Sequence, residues 1–251
     1  MRYFAEVAYH GKAYHGWQVQ PNAITVQEVI NDVFSKLLRT PIQVTGSGRT
    51  DSGVHCFQQY AHFDYEGTLD SKQFLHKANA FLPKDILIRN LYAVTAEAHA
   101  RFDAISRAYV YKITLRKDPF AQGLEHFLPW TPDLKTLNET SALLLNHIDY
   151  TAFSKLHSEV YTHNCDIMGA YWEQKGDKLF FHVKANRFLR GMVRIMTGNL
   201  LQVGLGKMTQ EQFIQTLETG NRKAAARYLV PGHGLYLNEV IYPEEIFVHN
   251  V

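Results

Sequence analysis

"TGSGRTDSGVHC", Thr45 to Cys56, sets an arginine and an aspartate inside a run of small and turn-forming residues. Gly46, Gly48 and Gly53 fall within eight positions, which suits unusual backbone angles and the close approach of another molecule. The residues just after the loop decide the fold. "VHCFQQYAHFDY" alternates as a strand, whereas a dinucleotide-binding unit would continue into a helix, and Asp51 stands where such a unit needs its third glycine. Gly48 and Gly53 have the spacing of a nucleoside-triphosphate loop, but Val54-His55 replaces the Lys-Ser/Thr pair that grasps phosphate. The order Thr-Gly-Ser-Gly-Arg also rules out a Gly-x-Ser-x-Gly nucleophile elbow.

On the N-terminal side, "RYFAEVAY" alternates as a strand from Arg2 to Tyr9, and a loop with Gly11, Gly16 and Pro21 comes next. Thr25 and Glu28 form a capping box for "VQEVINDVFSKLL", whose apolar residues repeat at helical spacing up to Pro41. The spacing predicts a short strand over Ile42–Thr45, a helix capped by Asp70 and running through Leu82, and a strand in "DILIRNLYAV". In the second half it predicts a strand over Ile105–Leu115. A helix over Asp133–Asn146 comes after it, with Leu134, Leu137, Leu144 and Leu145 facing inward. Next come a hairpin turning at Gly176-Asp177, a basic helix over Asn186–Val203, a helix Gln210–Thr219 capped by Thr209, and the strand "LYLNEVIY".

Each half therefore reads strand, helix, two strands, helix, strand, with one extra helix in the second. The expected fold class is α+β: two split β-α-β-β-α-β (ferredoxin-like) units with antiparallel sheets, residues 1–98 and 99–251, joined near Thr95 to Arg101.

The chain has 251 residues, 46% apolar and 20% charged, as in an ordinary globular protein. No apolar run approaches the ~20 residues of a membrane span, and "MRYFAEVAYHGK" is too polar for a signal peptide, so the expected location is cytoplasmic. Cys56 and Cys165 make neither a disulfide framework nor a Cys-x-x-Cys pair, and they read as buried thiols. Thirteen histidines are scattered without ligand spacing, so no metal is expected. The net charge of +2 says little, but its distribution says more. Between Asp177 and Glu211 there is no acidic residue, while Lys178, Lys184, Arg187, Arg190, Arg194 and Lys207 all lie there.

Asp51 has two readings at this level. Held near a cation it stays ionised and serves as nucleophile or base; alternatively it closes an Asx-turn, a common loop role. Arg107, Tyr109 and Tyr111 alternate on one strand face, which suits a ring stacking on a base, although a core tyrosine is the plainer role and fits Tyr111 better. Arg187, Arg190 and Arg194 at i, i+3 and i+7 would share one face of the basic helix, either solvated or meeting phosphates.

"GRTDSGVHC" closely resembles the active-site segment of the tRNA pseudouridine synthase A (TruA) family. "YHGKAYHGWQVQP", "TVQEVINDVF", "NAFLPKDI", "ARFDAISRAYVYKI" and "RFLRGMVRIMTGNLLQVG" resemble further family blocks in order, so the likeness spans nearly the whole chain. The resemblance implies a cofactor-free isomerase that turns uridine into pseudouridine at positions 38, 39 and 40 in the anticodon arm of tRNA. It also implies a homodimer, with basic clefts for the anticodon stem-loop and a pseudo-two-fold pair of domains around the active site. By the same resemblance Asp51 is the nucleophile, Tyr109 the active-site tyrosine and Arg194 the partner of Asp51. Arg49, Arg107, Arg187 and Arg190 are left as contacts to the substrate.

Some residues depart from the family pattern. Members often carry an aromatic residue or histidine where Arg190 stands, "VPGHGLYL" lacks the usual alanine-proline form, and "YTHNCDI" lacks an arginine near Asn164. Two other functions compete: a catalytically idle tRNA-binding or folding protein, and a nucleoside hydrolase, for which no second carboxylate is obviously placed.

Overall fold

The computed structural model describes residues 1–155 and 161–248. It divides into two compact units, Met1–Ile105 with Leu237–Val251, and Ser106–Tyr236. The fold is α+β, with six α-helices among the described residues.

The first unit contains β1 (Arg2–Tyr9), α1 (Val26–Leu38), β2 (Thr45–Gly46), β3 (His55–Asp64), α2 (Ser71–Phe81) and β4 (Ile86–Val94). β1 lies between β4 and β3 and is antiparallel to both, with Arg2 opposite Val94 on one side and Asp64 on the other. β2 pairs with β3, Thr45 opposite His62. Thr25 accepts a hydrogen bond from the Glu28 amide and Asp70 one from the Gln73 amide, so both helices start where their caps predict. The apolar face of α1 buries Phe34 against Phe63 and Phe74, with ring centroids 5.2 and 5.0 Å away. A fully buried phenylalanine of this kind contributes about 2 to 3 kcal/mol.

The expected strand over Ile42–Thr45 shrinks to Thr45–Gly46. Its backbone is claimed by side chains of α1 instead: Ser35 Oγ and Asn31 Oδ1 accept from the Ile42 and Val44 amides, and Gln27 donates to the Val44 carbonyl.

The second unit contains β5 (Ser106–Thr114), β6 (His126–Phe127), α3 (Leu134–Leu143), β7 (Ile167–Lys175), β8 (Lys178–Ala185), α4 (Met192–Gly204), α5 (Gln210–Glu218) and α6 (Arg222–Ala225). β8 lies between β5 and β7, antiparallel to both, while the two-residue β6 runs parallel to β5 and departs from the expected all-antiparallel pattern. Asn138 of α3 bonds both the amide and the carbonyl of Trp172, tying the helix to the outer strand β7. Leu145 is exposed instead of inward, because α3 gives way at Leu144 to a 3-10 turn that rotates it off the helix face. The four-residue α6 is too short to leave a periodic signal, and the sequence reading has no counterpart for it.

The main correction concerns the basic helix. α4 begins at Met192, not near Asn186, and its N-cap Gly191 has φ +74°, a left-handed conformation that breaks the helical path. Upstream of it the backbone is held by other partners. The Asn186 amide donates to Asp166 O, Asn186 Oδ1 accepts from the Asp166 amide, and Arg190 O accepts from the Lys155 amide. Arg187 and Arg190 therefore lie outside the helix, and the shared face with Arg194 does not exist.

The last strand, β9 (Leu235–Ile241), neighbours β3 in strand order. That pairing groups the C-terminal residues with the first unit, whereas the sequence reading keeps residues 99–251 together. Among the described residues no helix is long and apolar enough to cross a membrane.

Candidate active site

The loop between β2 and β3 is braced from below by the segment that succeeds β1. Gly11 and Gly16 fit closely against it: a Cβ on Gly11 would stand 1.9 Å from Val54 O, and one on Gly16 would stand 2.2 Å from Thr50 O. Gly16 also has φ +90°, so no other residue takes its place without strain. Hydrogen bonds repeat the same contacts. The Gly53 amide donates to Tyr14 O at 3.2 Å, Trp17 N to Thr50 O at 3.4 Å, and Gly11 N to His55 Nδ1 at 3.0 Å. Tyr9 and Thr50 share a hydroxyl–hydroxyl bond of 2.9 Å, and the Val54 amide closes back onto Asp51 O at 3.2 Å.

Rigid side chains anchor this brace. Trp17 is buried, with its ring 6.1 Å from that of Tyr9. Tyr14 donates to Asp85 at 2.6 Å, and burial together with that bond pushes its phenol up, so it stays a neutral donor. The loop that carries Asp51 is thus fixed at both flanks while Asp51 is half-buried and Arg49 is exposed. A carboxylate held on an immobile backbone keeps its aim, and an exposed arginine two residues away is free to reach an anionic ligand.

The remaining sequence-predicted residues belong to the second unit. Tyr109 and Tyr111 both sit on β5 but differ in kind. Tyr111 is fully buried, donates to Pro231 O at 2.8 Å, and has its phenol pushed up by burial against a smaller opposing pull from Arg194. Tyr109 is half-buried, with the Phe188 ring edge-on at 5.1 Å. Arg107 donates to Asn186 O at 2.8 Å, which fastens β5 to the segment carrying Arg187 and Arg190.

The three arginines of the basic stretch have separate surroundings. Arg194, in the first turns of α4, is half-buried and donates through Nε to Val230 O at 2.8 Å. Arg187 is half-buried near Cys165, whose thiol burial raises to about 11 while Arg187 opposes the rise. Arg190 is exposed. Within this unit the structure brings Arg107 to Asn186 and Tyr109 to Phe188, while Arg194 stands on α4 close enough to Tyr111 of β5 for its charge to act on that phenol. Sequence reasoning missed the brace itself. Gly11, Gly16, Tyr14 and Trp17 stand about 35 residues before the loop they hold, and although "YHGKAYHGWQVQP" stands out as a family-like block, nothing in it says which part of the chain it packs against.

A family described as "tRNA pseudouridine synthase" matches residues 5–103 and 143–243. Among similar proteins, the tRNA pseudouridine synthase A of Parabacteroides distasonis is 47% identical over 247 residues, 98% of each chain. That of Bacteroides fragilis is 44% identical over 248 residues, again 98% of each. That of Staphylococcus aureus is 33% identical over 247 residues, 98% of this chain and 92% of its own. With its braced aspartate loop inside the matched region and its length shared almost completely with these proteins, the chain belongs to the tRNA pseudouridine synthase A family.

Proposed function

We propose that this protein isomerises uridine to pseudouridine in the anticodon arm of tRNA, at positions 38, 39 and 40, with Asp51 as the nucleophile. The observation that carries the reading is the Asp51 loop, a carboxylate on a backbone fixed by Gly11, Gly16, Tyr14 and Trp17 within a region matched by the family. The reaction breaks the bond between uracil N1 and the ribose carbon and joins that carbon to C5. The C5 proton leaves and N1 gains one, so nothing is oxidised or reduced and no cofactor is needed. A carboxylate attacking the sugar carbon or the pyrimidine ring makes the base a leaving group that can turn before it rejoins.

The target base is stacked inside the RNA and must be flipped out first. Arg49, exposed on the loop, suits the vacated space or a neighbouring phosphate. Tyr109, whose ring is set edge-on by Phe188, is assigned the flipped base and the C5 proton. Arg194 is assigned the positive charge that keeps the attacking carboxylate ionised, and Arg107, Arg187 and Arg190 the RNA backbone. The antiparallel set β4-β1-β3, with α1 and α2 between its strands in sequence, supports the ferredoxin-like reading of the first unit. A homodimer in the cytoplasm completes the proposal, on the family resemblance.

The test is to map pseudouridine in a tRNA transcript with uridines throughout the anticodon arm. Primer extension after carbodiimide treatment should stop only at positions 38, 39 and 40 of the incubated RNA. Stops elsewhere in the tRNA would move the substrate site. No stops, with tight binding retained, would favour the idle tRNA-binding protein.

A further inference from the structure

The turn Ala98–Asp103, in the first unit, is held far more firmly than a surface connection needs. Six consecutive amides each find an acceptor. Ala98 N bonds Thr95 O, His99 N bonds Asp103 Oδ2 at 2.7 Å, and Ala100 N bonds His62 Nδ1 at 3.1 Å. Arg101 N and Phe102 N share His99 Nδ1 at 3.1 and 3.3 Å, and Asp103 N returns to His99 O. The carbonyls are claimed as well: Arg2 donates to Ala98 O and the Tyr242 hydroxyl to Ala100 O. Ala98, Ala100 and Ala104 are buried beneath.

This framework presents outward one aromatic ring and one cation. Phe102 is 73% exposed, and the Arg101 guanidinium lies over its ring, 5.6 Å from the centroid. The His99 imidazole sits 4.3 Å from the same ring, and His62 lies 4.6 Å behind His99. Both histidines act as hydrogen-bond acceptors here, which requires neutral imidazole, and burial lowers both pKa values, that of His62 to about 4. Exposing a phenylalanine gains nothing for the fold, whereas a preorganised flat π face beside a guanidinium is what an unstacked nucleobase stacks on.

We propose that the turn Ala98–Asp103 is a second RNA-contact site, in which the Phe102 ring and the Arg101 guanidinium stack on an unpaired base of the tRNA other than the reacting uridine. The separation supports a distinct base. His62, which anchors the turn, stands seven residues beyond His55 on β3, about 23 Å at the rise of an extended strand. His55 adjoins the Asp51 loop, so the two contacts lie towards opposite ends of one strand. The inference rests on tRNA being the substrate.

The test compares Phe102→Ala, Phe102→Leu and Phe102→Trp in the full chain, measuring tRNA isomerisation and binding. Loss of one stacked base should raise KM and Kd by roughly 5- to 150-fold for both Ala and Leu, with kcat at saturating tRNA kept. Trp should bind at least as well as the native chain. Because the lost contact is uncharged, the slope of log Kd against log salt should not change. The thermal midpoint should stay the same, since the ring is exposed. Native-like KM in the Ala variant, or a Leu variant as good as Phe, would overturn the proposal. So would a fall in molecular mass that tracks the weaker binding, since the ring would then lie between copies of the chain. If the native chain isomerises no uridine in any tRNA, the substrate reading fails instead, and the two failures are told apart by that control.

Discussion

Two glycine-containing segments carry charged residues of the candidate site, Arg49 and Asp51 in one and Arg187 and Arg190 in the other, and they are built in opposite ways. The loop between β2 and β3 is braced by a distant segment, and a Cβ on Gly16 or Gly11 of that segment would collide with the Thr50 or Val54 carbonyl of the loop. The Asn186–Gly191 segment also makes hydrogen bonds, but its one left-handed glycine faces a pliable neighbour. A Cβ on Gly191 would meet the Lys155 side chain at 2.9 Å, and a lysine stem can move. A nucleophile needs a fixed position, whereas contacts to an RNA backbone tolerate adjustment. The difference in construction matches the difference between the tasks proposed for them.

The largest effect that tests the contrast comes from Gly16→Ala. With φ +90° and Thr50 O in the way, the variant should lose on the order of 3 kcal/mol of stability and at least about 100-fold in turnover, read by thermal melting and by tritium release from 5-labelled uridine in tRNA. Gly191→Ala should cost only about 1 to 2 kcal/mol and leave turnover within a few-fold. Equal losses from both would remove the distinction.

The arginines sharpen it further. Arg194→Ala deletes a half-buried guanidinium that also satisfies Val230 O, and should cut turnover about 100-fold while binding holds. Arg190→Ala, at an exposed position, should weaken binding across all tRNAs and flatten its salt slope by about 0.7 to 0.9, with turnover at saturation kept. Loss of affinity alone, equal in both, would contradict the division.

The smallest effect is one of pH. Burial, more than the nearby His99 and Arg2 charges, holds His62 near 4 in the fold against about 6.5 unfolded. Above pH 6.5 both states are neutral and His62 contributes no pH dependence. As pH falls towards 4 the unfolded chain binds the proton first, so stability declines across that window. His126, in the second unit, is likewise lowered to about 4 by burial and His233. His62→Asn keeps an acceptor for the Ala100 amide and should flatten part of this decline, read as urea midpoints between pH 7 and pH 4. An unchanged slope would show that His62 ionises normally.

Much of the fold was legible because its signals are local. Thr25, Asp70, Asp133 and Thr209 cap helices within a residue or so of where their sequence places them, and Gly176 turns its hairpin as expected. The errors arise where tertiary partners override a local pattern. "RFLRGMVRI" has helical periodicity, yet Gly191 and the Asp166 and Lys155 contacts delay the helix to Met192. Ile42–Val44 has strand character, yet α1 takes its backbone groups. At the site, the motif marks Asp51 as a candidate, whereas the brace under it depends on two stretches of chain meeting, which no spacing records.

The central claim is that Asp51 attacks the substrate, and the most direct measurement is tritium release from 5-labelled uridine in tRNA by Asp51→Asn. The amide is nearly isosteric but supplies no ionised oxygen, so the variant should melt and bind tRNA like the native chain and release no tritium above background. Turnover above background, in a preparation free of endogenous enzyme, would contradict the account.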